Sequence, residues 1–538
     1  MSTLAKSALW VTISEIIFNL SGFVIHSVVG RILGPADYGR YGLVVTLTTM
    51  VIILIGNGIP TAMSKYISEI YDTNPRLVGV IKRQTIILQS ILIGVVTIIF
   101  YFSAPLLAKI LGDPTLTPLF QISTLIIPLF AAASFYFSYY TGLHKFGIQS
   151  FLKVARSLFR IIYIISFAYF FGVKGSISGY IAAPASIFLL ALFIDKLKVS
   201  KELKANEIEL SSSPLGRGTK GEGKNIQDAS LIRPSGTFSQ REKGDVVTFD
   251  WHRLTNYAWQ IVIFFLAYEL LISIDLYLVK GILHDDYLTG IYNASLTIGR
   301  IPYYIFYALT VILLPVISKS TAEKNSKKTS EIISQSLRLM LLLLVPMIIL
   351  MSIYSRPIIK IFYSNKYIDA AYPMSILVWG VGFLTIFYVF CFVMNGAGKV
   401  KKPMILSIIG LIINTVLNYI LIKKYGIAGS AVATSISSAI ITFIMLYYIW
   451  KDFGVKINLT GFSKMIVAGI IMYAASMLFN RGELIFMLWS AILFSLYIVI
   501  LILLGEIKKA DIILVRDMLR RKKASEVEEE FSGNEPSA

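Results

Sequence analysis

Arg300 stands near the middle of an apolar stretch, with Asn293, Thr297, Tyr304 and Tyr307 on the same helical face. An ionisable side chain at that depth costs roughly 2.5–3.5 kcal/mol on insertion scales, so it faces a cavity or a partner. Pro302 loosens the helix beside it. Arg160 reaches deep into another apolar stretch, on a face shared with Lys153, Arg156 and Tyr163. Lys153 and Arg156 read as interfacial residues with snorkelling stems. A guanidinium fork matches phosphate oxygens bidentately, and nearby tyrosines can stack on or hydrogen-bond a sugar. These residues suit an anionic, amphipathic substrate. For Arg300 the alternative is a structural pairing with a helix carbonyl or a carboxylate.

The acids leave two roles open. Glu269 and Asp275, in the span before Arg300, bind Na⁺ or H⁺ or simply neutralise the arginine. Glu15, Asn19, Gly22 and His26 share one face of the first span. Glu15 pairs with a basic residue or titrates, and His26 is a hydrogen-bonded structural histidine or a proton relay.

The elements that position these residues are membrane helices. The chain is 56% hydrophobic and only 15% charged, where a soluble domain carries about 25% charged residues. Apolar segments of about 17–25 residues recur along it, each long enough to cross the hydrocarbon. The expected spans are Leu9–Val29, Tyr41–Ile59, Thr85–Phe102, Leu119–Thr141, Val154–Phe171, Ile177–Phe193, Trp259–Val279, Leu288–Leu314, Ile332–Tyr354, Ser375–Met394, Met404–Ile422, Ile427–Trp450, Phe462–Phe479 and Leu484–Leu504. The net charge of +19 gathers in short loops between them, which points to the positive-inside bias and not to nucleic acid. Cys391 is the sole cysteine, so neither an intramolecular disulfide nor a cysteine metal cluster is available. No small-residue cleavage site follows the first span, so no removable signal peptide is expected.

The chain nearly repeats itself. Gly142, Lys145, Gly172, Gly175 and Ser176 return 254 residues later as Gly396, Lys399, Gly426, Gly429 and Ser430. Ser64, Lys65 and Glu69 match Ser318, Lys319 and Glu323 at the same offset. Arg31-Ile-Leu33 answers Gly281-Ile-Leu283, and Ser103-Ala-Pro105 answers Ser355-Arg-Pro357. Arg160 falls opposite Asn414, with Asn418 one turn on, so the copies share a frame and differ in charge.

The fold class expected is an all-α polytopic membrane protein of about 14 transmembrane helices: two six-helix lobes and two further helices. Six spans per copy make the repeats parallel, with a pseudo-twofold axis along the membrane normal. The boundaries are a first lobe at 1–195, a disordered linker at 196–250, a second lobe at 251–452, the last two spans at 453–504 and a charged tail at 505–538. The linker is rich in Ser, Gly, Lys and Glu without hydrophobic periodicity. The tail mixes Ile507, Ile512, Leu514 and Leu519 with basic residues, so it is either a surface amphipathic helix or a solvated segment. Loops on the amino-terminal side hold seventeen Lys and Arg against about eleven opposite, which puts both termini and the linker in the cytoplasm.

Three motifs carry a resemblance: GRILGPADYG at 30–39 with Tyr41, LPVISK at 314–319, and GIAGSAVAT at 426–434. Over about residues 5–504 the chain resembles the multidrug/oligosaccharidyl-lipid/polysaccharide flippase superfamily, in particular its polysaccharide-transporter branch. The resemblance implies a cell-membrane flippase for surface-glycan biosynthesis. It would move a polyprenyl-diphosphate-linked oligosaccharide from the cytoplasmic to the outer leaflet by alternating access. The implied partners are that lipid, the membrane lipids and the glycosyltransferases or polymerase of the same pathway. Related flippases place essential arginines and acids around the first, second and eighth spans, and Arg31, Asp37 and Arg300 stand nearest those patterns. The second span lacks internal charge, which counts against a peptidoglycan precursor as cargo.

A multidrug exporter of the same superfamily is the first alternative, but cationic substrates call for acids in the cavity. A membrane glycan polymerase or ligase is the second, and it would carry a large outer loop with carboxylates. No phosphate-binding Gly-rich loop, Cys/His metal spacing or nucleophile triad is present, so the chain is expected not to be an enzyme. No cofactor is implied beyond the open question of Na⁺ or H⁺ coupling.

Overall fold

The computed structural model of the chain describes residues 3–56, 59–71, 75–199, 263–323, 325–455, 459–478 and 485–507. Most of the expected linker, the start of the seventh span and the charged tail from 508 lie outside the described residues. Among those described, every regular element is helical. Hydrocarbon leaves no other open-chain choice, because each backbone N–H and C=O must be satisfied within its own segment.

The first copy runs through α1 (Thr3–Leu33), α2 (Pro35–Gly56), α3 (Ile59–Ile70), α4 (Pro75–Ile110), α5 (Thr117–Ser123), α6 (Ile126–Gly142) and α7 (Phe146–Ile194). The second runs through α8 (263–271), α9 (Ile274–Leu283), α10 (Asp286–Gly299), α11 (Ile301–Ala322), α12 (Ser326–Ile353), α13 (Ser355–Tyr363), α14 (Ala371–Gly396) and α15 (Lys401–Phe453). The extra pair is α16 (Leu459–Ser476) and α17 (Phe486–Leu503). Seven stretches among the described residues are long and apolar enough to cross a membrane. Two of these, within α7 and α15, are hairpins and supply two spans each. The plan of fourteen spans as six, six and two accommodates these helices.

The hairpins show the duplication in backbone geometry. Gly172 (φ 61°, ψ −139°) and Gly426 (φ 58°, ψ −141°) reverse the chain in one residue, in a region that essentially only glycine adopts. The arms then pack tightly. A Cβ on Gly175 would lie 1.9 Å from Phe167 O, and one on Gly429 would lie 2.1 Å from Leu421 O. No polar loop therefore separates the fifth span from the sixth, or the eleventh from the twelfth.

Other left-handed turns recur at the same places. α1 and α9 end on Gly34 and His284 (34 to 284, an offset of 250). α4 and α13 are followed by Gly112 and Ser364 (an offset of 252), and α6 and α14 by His144 and Gly398 (an offset of 254). After α6 the Lys145 N–H donates to Tyr140 O at 2.9 Å, and after α14 the Lys399 N–H donates to Met394 O at 2.8 Å. Both close the same C-terminal cap.

One expected pairing is out of register. Gly142 packs on Ser64 O and Ile67 Cβ, whereas Gly396 packs on Leu314 O and Ile317 Cβ. Ser64 therefore corresponds to Leu314 and not to Ser318. Charged residues one helical turn away produced the match, since a helix face nearly repeats every four residues.

The described residues pack as two compact units, one within Met1–Ile25 and Val44–Glu269, the other within His26–Leu43 and Leu270–Ala538. In the first, Lys82 pairs with Asp195 at 2.6 Å and lies 4.3 Å from the Tyr139 ring. In the second, α12, α16 and α17 bury Tyr354, Met465, Met472, Leu493 and Tyr497 together. Arg338 ties this cluster to Glu506 at 2.8 Å. We expect Gly426→Ala to destabilise the protein by about 1–3 kcal/mol through the strained corner alone, read as a lower melting temperature in detergent.

Candidate functional site

The seventh span breaks in the second unit. α8 stops at residue 271, Ile272 and Ser273 form a turn, and α9 resumes at Ile274. The break frees two carbonyls, and side chains take both. Asn414 Nδ2 donates to Leu271 O at 3.0 Å, and Arg300 Nη2 donates to Ile272 O. Asp275, in the first turn of α9, is fully buried. Its Oδ1 accepts the Leu276 N–H at 2.8 Å, and its Oδ2 accepts Tyr292 Oη at 2.9 Å and Thr434 Oγ1 at 3.3 Å. The positive end of the helix dipole and the Arg300 charge both act on this carboxyl.

The α15 hairpin completes the network across its corner. Asn414 and Asn418 stand on one arm, and Ser430, Thr434 and Ser437 on the other. Ser430 Oγ donates to Asn418 Oδ1 at 2.6 Å, and Ser437 Oγ donates to Asn414 Oδ1 at 3.0 Å. Asn418 Nδ2 donates to Asn414 Oδ1 at 2.8 Å. Asn414 and Asn418 are thus fully buried and engaged with protein atoms.

Arg300 itself caps the end of α10 and the start of α11, with Pro302 in the first turn of α11. The eighth span is interrupted there, which positions the guanidinium beside the break in the seventh. Beyond it, Tyr304 is 38% exposed, while Tyr303 and Tyr307 lie against Tyr388 at ring separations of 4.9 and 6.3 Å. Asn293 is buried, with Nδ2 close to Gly42 and without a hydrogen-bond partner.

The GRILGPADYG motif belongs to the second unit although it lies in the first copy. Tyr38 is its hub. The Tyr38 hydroxyl lies 2.8 Å from Tyr363 Oη, 3.0 Å from His26 Nδ1 and 3.2 Å from Thr297 Oγ1. Burial pushes the Tyr38 and Tyr363 hydroxyls above the usual tyrosine range, so both stay neutral. Glycines permit the close approach. A Cβ on Gly290 would fall 1.7 Å from Pro35 O, and one on Gly39 2.5 Å from Asp286 O. Arg31 donates to Phe362 O at 2.9 Å and to Ile361 O, capping α13. Arg40 bonds Asp286 at 2.8 Å, Lys280 pairs with the same carboxylate, and Asp37 lies 3.8 Å from Arg40.

In the first unit, Arg160 lies 4.5 Å from the Phe18 ring and 5.6 Å from the Tyr180 ring. Arg156 is not a snorkelling residue. It is 4% exposed and sits 3.8 Å from the Phe130 ring, because α7 turns this face inward. Glu15 lies on α1, but its side chain is outside the described residues, and Glu269 is half-buried in α8.

The structure thus brings Asp275, Arg300, Asn414 and Asn418 together in one network, and His26, Asp37 and Arg31 together around the GRILGPADYG motif. The residues that sequence reasoning missed are Tyr292, Thr434 and Tyr363. Thr434 ends the GIAGSAVAT motif, and its hydroxyl, twenty residues from Asn414 and across a glycine corner, was the available signal.

Interrupted helices holding a buried charge inside a duplicated helical frame make this a polytopic membrane protein. Known proteins agree. The profile for "Polysaccharide biosynthesis protein" matches residues 4–203, and that for "Lipid II flippase MurJ" matches 254–506. Stage V sporulation protein B of Bacillus subtilis (strain 168) is 23% identical over 541 residues, covering 95% of this chain and 97% of that one. The solved structure of lipid II flippase MurJ in an inward closed conformation superposes with a TM-score of 0.67 at 16% identity, covering 96% of this chain and all of that one. An inward-facing multidrug resistance MATE transporter gives 0.58 at 14% identity, covering 82% of this chain and 94% of that one. The amino-terminal part of the chain thus resembles polysaccharide biosynthesis proteins and the carboxy-terminal part resembles MurJ, and the whole chain has the fold shared by the MurJ and MATE transporter structures.

Cys391 is buried, so an introduced cysteine reports alone. In a Ser27→Cys protein we expect slow maleimide labelling. Adding Gly290→Ala, whose methyl collides with Pro35 O, should raise the rate severalfold by freeing the 26–43 segment.

Proposed function

We propose that this protein moves a polyprenyl-diphosphate-linked oligosaccharide from the cytoplasmic to the outer leaflet by alternating access, in surface-glycan biosynthesis. The observation that carries the reading is positive charge kept within both units, Arg160 and Arg156 in one and Arg300 in the other. Cations at such depth suit a phosphate head group whose prenyl tail stays in lipid. Arg300 and Arg160 are the proposed diphosphate ligands. Tyr304 and Asn293 are proposed to line the sugar path, and Arg31 to act where the 26–43 segment packs. Asn414 and Asn418 hold the broken helix that positions Arg300.

Charge balance and ion coupling fall to Glu269 and Asp275, with Glu15, His26 and Asp37 as further candidates. Asp275 brings one carboxylate together with the hydroxyl of Thr434, a donor set that suits Na⁺ or a proton. The chain is a multi-span membrane protein. We place it in the cell membrane with both termini and the 196–250 segment in the cytoplasm, from the loop charges. Glycosyltransferases or a polymerase of the same pathway would supply and consume its cargo.

A multidrug exporter shares the fold, but cation export calls for acids where these arginines stand. In cells, Arg300→Ala should cut outer-leaflet delivery of the lipid-linked glycan roughly 10- to 100-fold with normal membrane insertion, the loss of a charged hydrogen-bonding pair. Arg300→Lys should be impaired as well, because an ammonium lacks the planar fork. Full surface glycan in the alanine variant would remove Arg300 from the mechanism. Asp275→Asn in proteoliposomes should abolish any stimulation by a Na⁺ or pH gradient. Stimulation equal to the parent protein would free Asp275 of the coupling role.

A further inference from the structure

The two hairpins have matching exposed faces that end differently. On the first arm of α15, Ile412, Val416 and Tyr419 are each more than half exposed. Spacings of four and three put them on one helical face, which leads to the exposed Lys423 and Lys424 just before the Gly426 corner. On α7, the residues 254 positions earlier repeat the strip with Leu158 and Ile162, also more than half exposed. There the face ends on Tyr169 and Phe170, both 71% exposed, before the Gly172 corner. One frame thus carries two cations at one corner and two rings at the other.

The two ammonium groups are placed at different depths. Lys423 Nζ donates to Tyr419 Oη at 2.6 Å and lies 3.8 Å from that ring. Side chains on a helix lean toward its N-terminus, which on this arm points away from the corner and along the apolar strip. Lys423 is therefore folded back one turn, where a lysine that only sought water would extend outward. Lys424 Nζ stays at the corner, 5.2 Å from the Tyr425 ring. Neither ammonium meets a carboxylate among the described residues. The phenol fixes Lys423 without neutralising it.

We propose that the α15 corner is a binding site for an anionic phospholipid of the surrounding bilayer. Its phosphate meets Lys423 and Lys424, and an acyl chain lies along Ile412, Val416 and the Tyr419 ring. Opposite charge selects the head group, and the apolar strip leading up to the lysines accepts the tail. The α7 corner has the same strip and selects no charge, because aromatic rings settle at the head-group border of any lipid. Its nearest cation in sequence, Lys174, lies past the glycine on the other arm. None of these residues belongs to the proposed cargo path, so the site stands apart from the flippase reading.

The test uses full-length protein in nanodiscs of phosphatidylcholine and phosphatidylglycerol at low ionic strength. Cys391 is buried, so bimane on Ile420→Cys, beside the strip, reports alone. Brominated chains on one lipid or the other quench it in proportion to that lipid's local share. Phosphatidylglycerol should be enriched about 25-fold, with Lys423→Gln and Lys424→Gln each removing about fivefold and the double variant nearly all. Bimane on Ser166→Cys, the matching position of the first copy, should show no enrichment. Adding Tyr169→Lys and Phe170→Lys there should create it. Melting temperatures establish that each variant is folded. No enrichment beside Ile420→Cys, or enrichment that survives the double variant, overturns the site. Equal enrichment beside Ser166→Cys assigns it to the net charge of the protein and overturns it too. Loss of enrichment in inorganic phosphate would reveal a free-anion site, and loss to equimolar farnesyl diphosphate a cargo site; either overturns the phospholipid as occupant.

Discussion

A helix cannot break inside hydrocarbon unless something takes over the carbonyls it releases, and the interior of the second unit is organised around that demand. Asn414 and Arg300 take the carbonyls of Leu271 and Ile272. Once Arg300 is drawn in, its charge needs company, and Asp275 at the first turn of α9 is buried nearby. Asp275 in turn needs donors, which Tyr292 and Thr434 supply. Each polar group is present because the previous one would otherwise be unsatisfied. Removing one member therefore leaves others exposed to the full cost of an unpaired buried group.

The first copy solves a different problem with the same frame. Its first helix continues where the second copy's breaks, so the hairpin positions that hold Asn414 and Thr434 are free to carry Arg160 and Tyr180 instead. The Phe18 and Tyr180 rings lie against the guanidinium without supplying it hydrogen-bond acceptors. Duplication gave two equal scaffolds. Divergence of a few interior residues put an asparagine that braces a broken helix in one hairpin and a guanidinium beside aromatic rings in the other.

The frame was largely legible because it is written in glycines and caps. Gly172 with Gly426, Gly175 with Gly429 and Lys145 with Lys399 kept type and spacing, since their backbone geometry excludes most substitutes. Ser64 misled because a helix tolerates a one-turn slide without changing which face is polar. Arg156 was placed at the interface because sequence cannot show three phenylalanines converging from α1 and α6. The break at Ile272 carries no proline or glycine, so no local signal announced it. Its cause is tertiary, lying with Asn414 on a distant helix. Tyr363 was equally hidden, since it meets Tyr38 across 325 residues.

The corner at Gly172 sets a limit on how this protein can evolve. Arg160 and Tyr180 meet only because the chain between them is of fixed length. One inserted residue would rotate the second arm by about 100° about its own axis and swing the ring off the guanidinium. The chemistry between the arms can therefore change by exchange of side chains, with insertions and deletions confined to other parts of the chain.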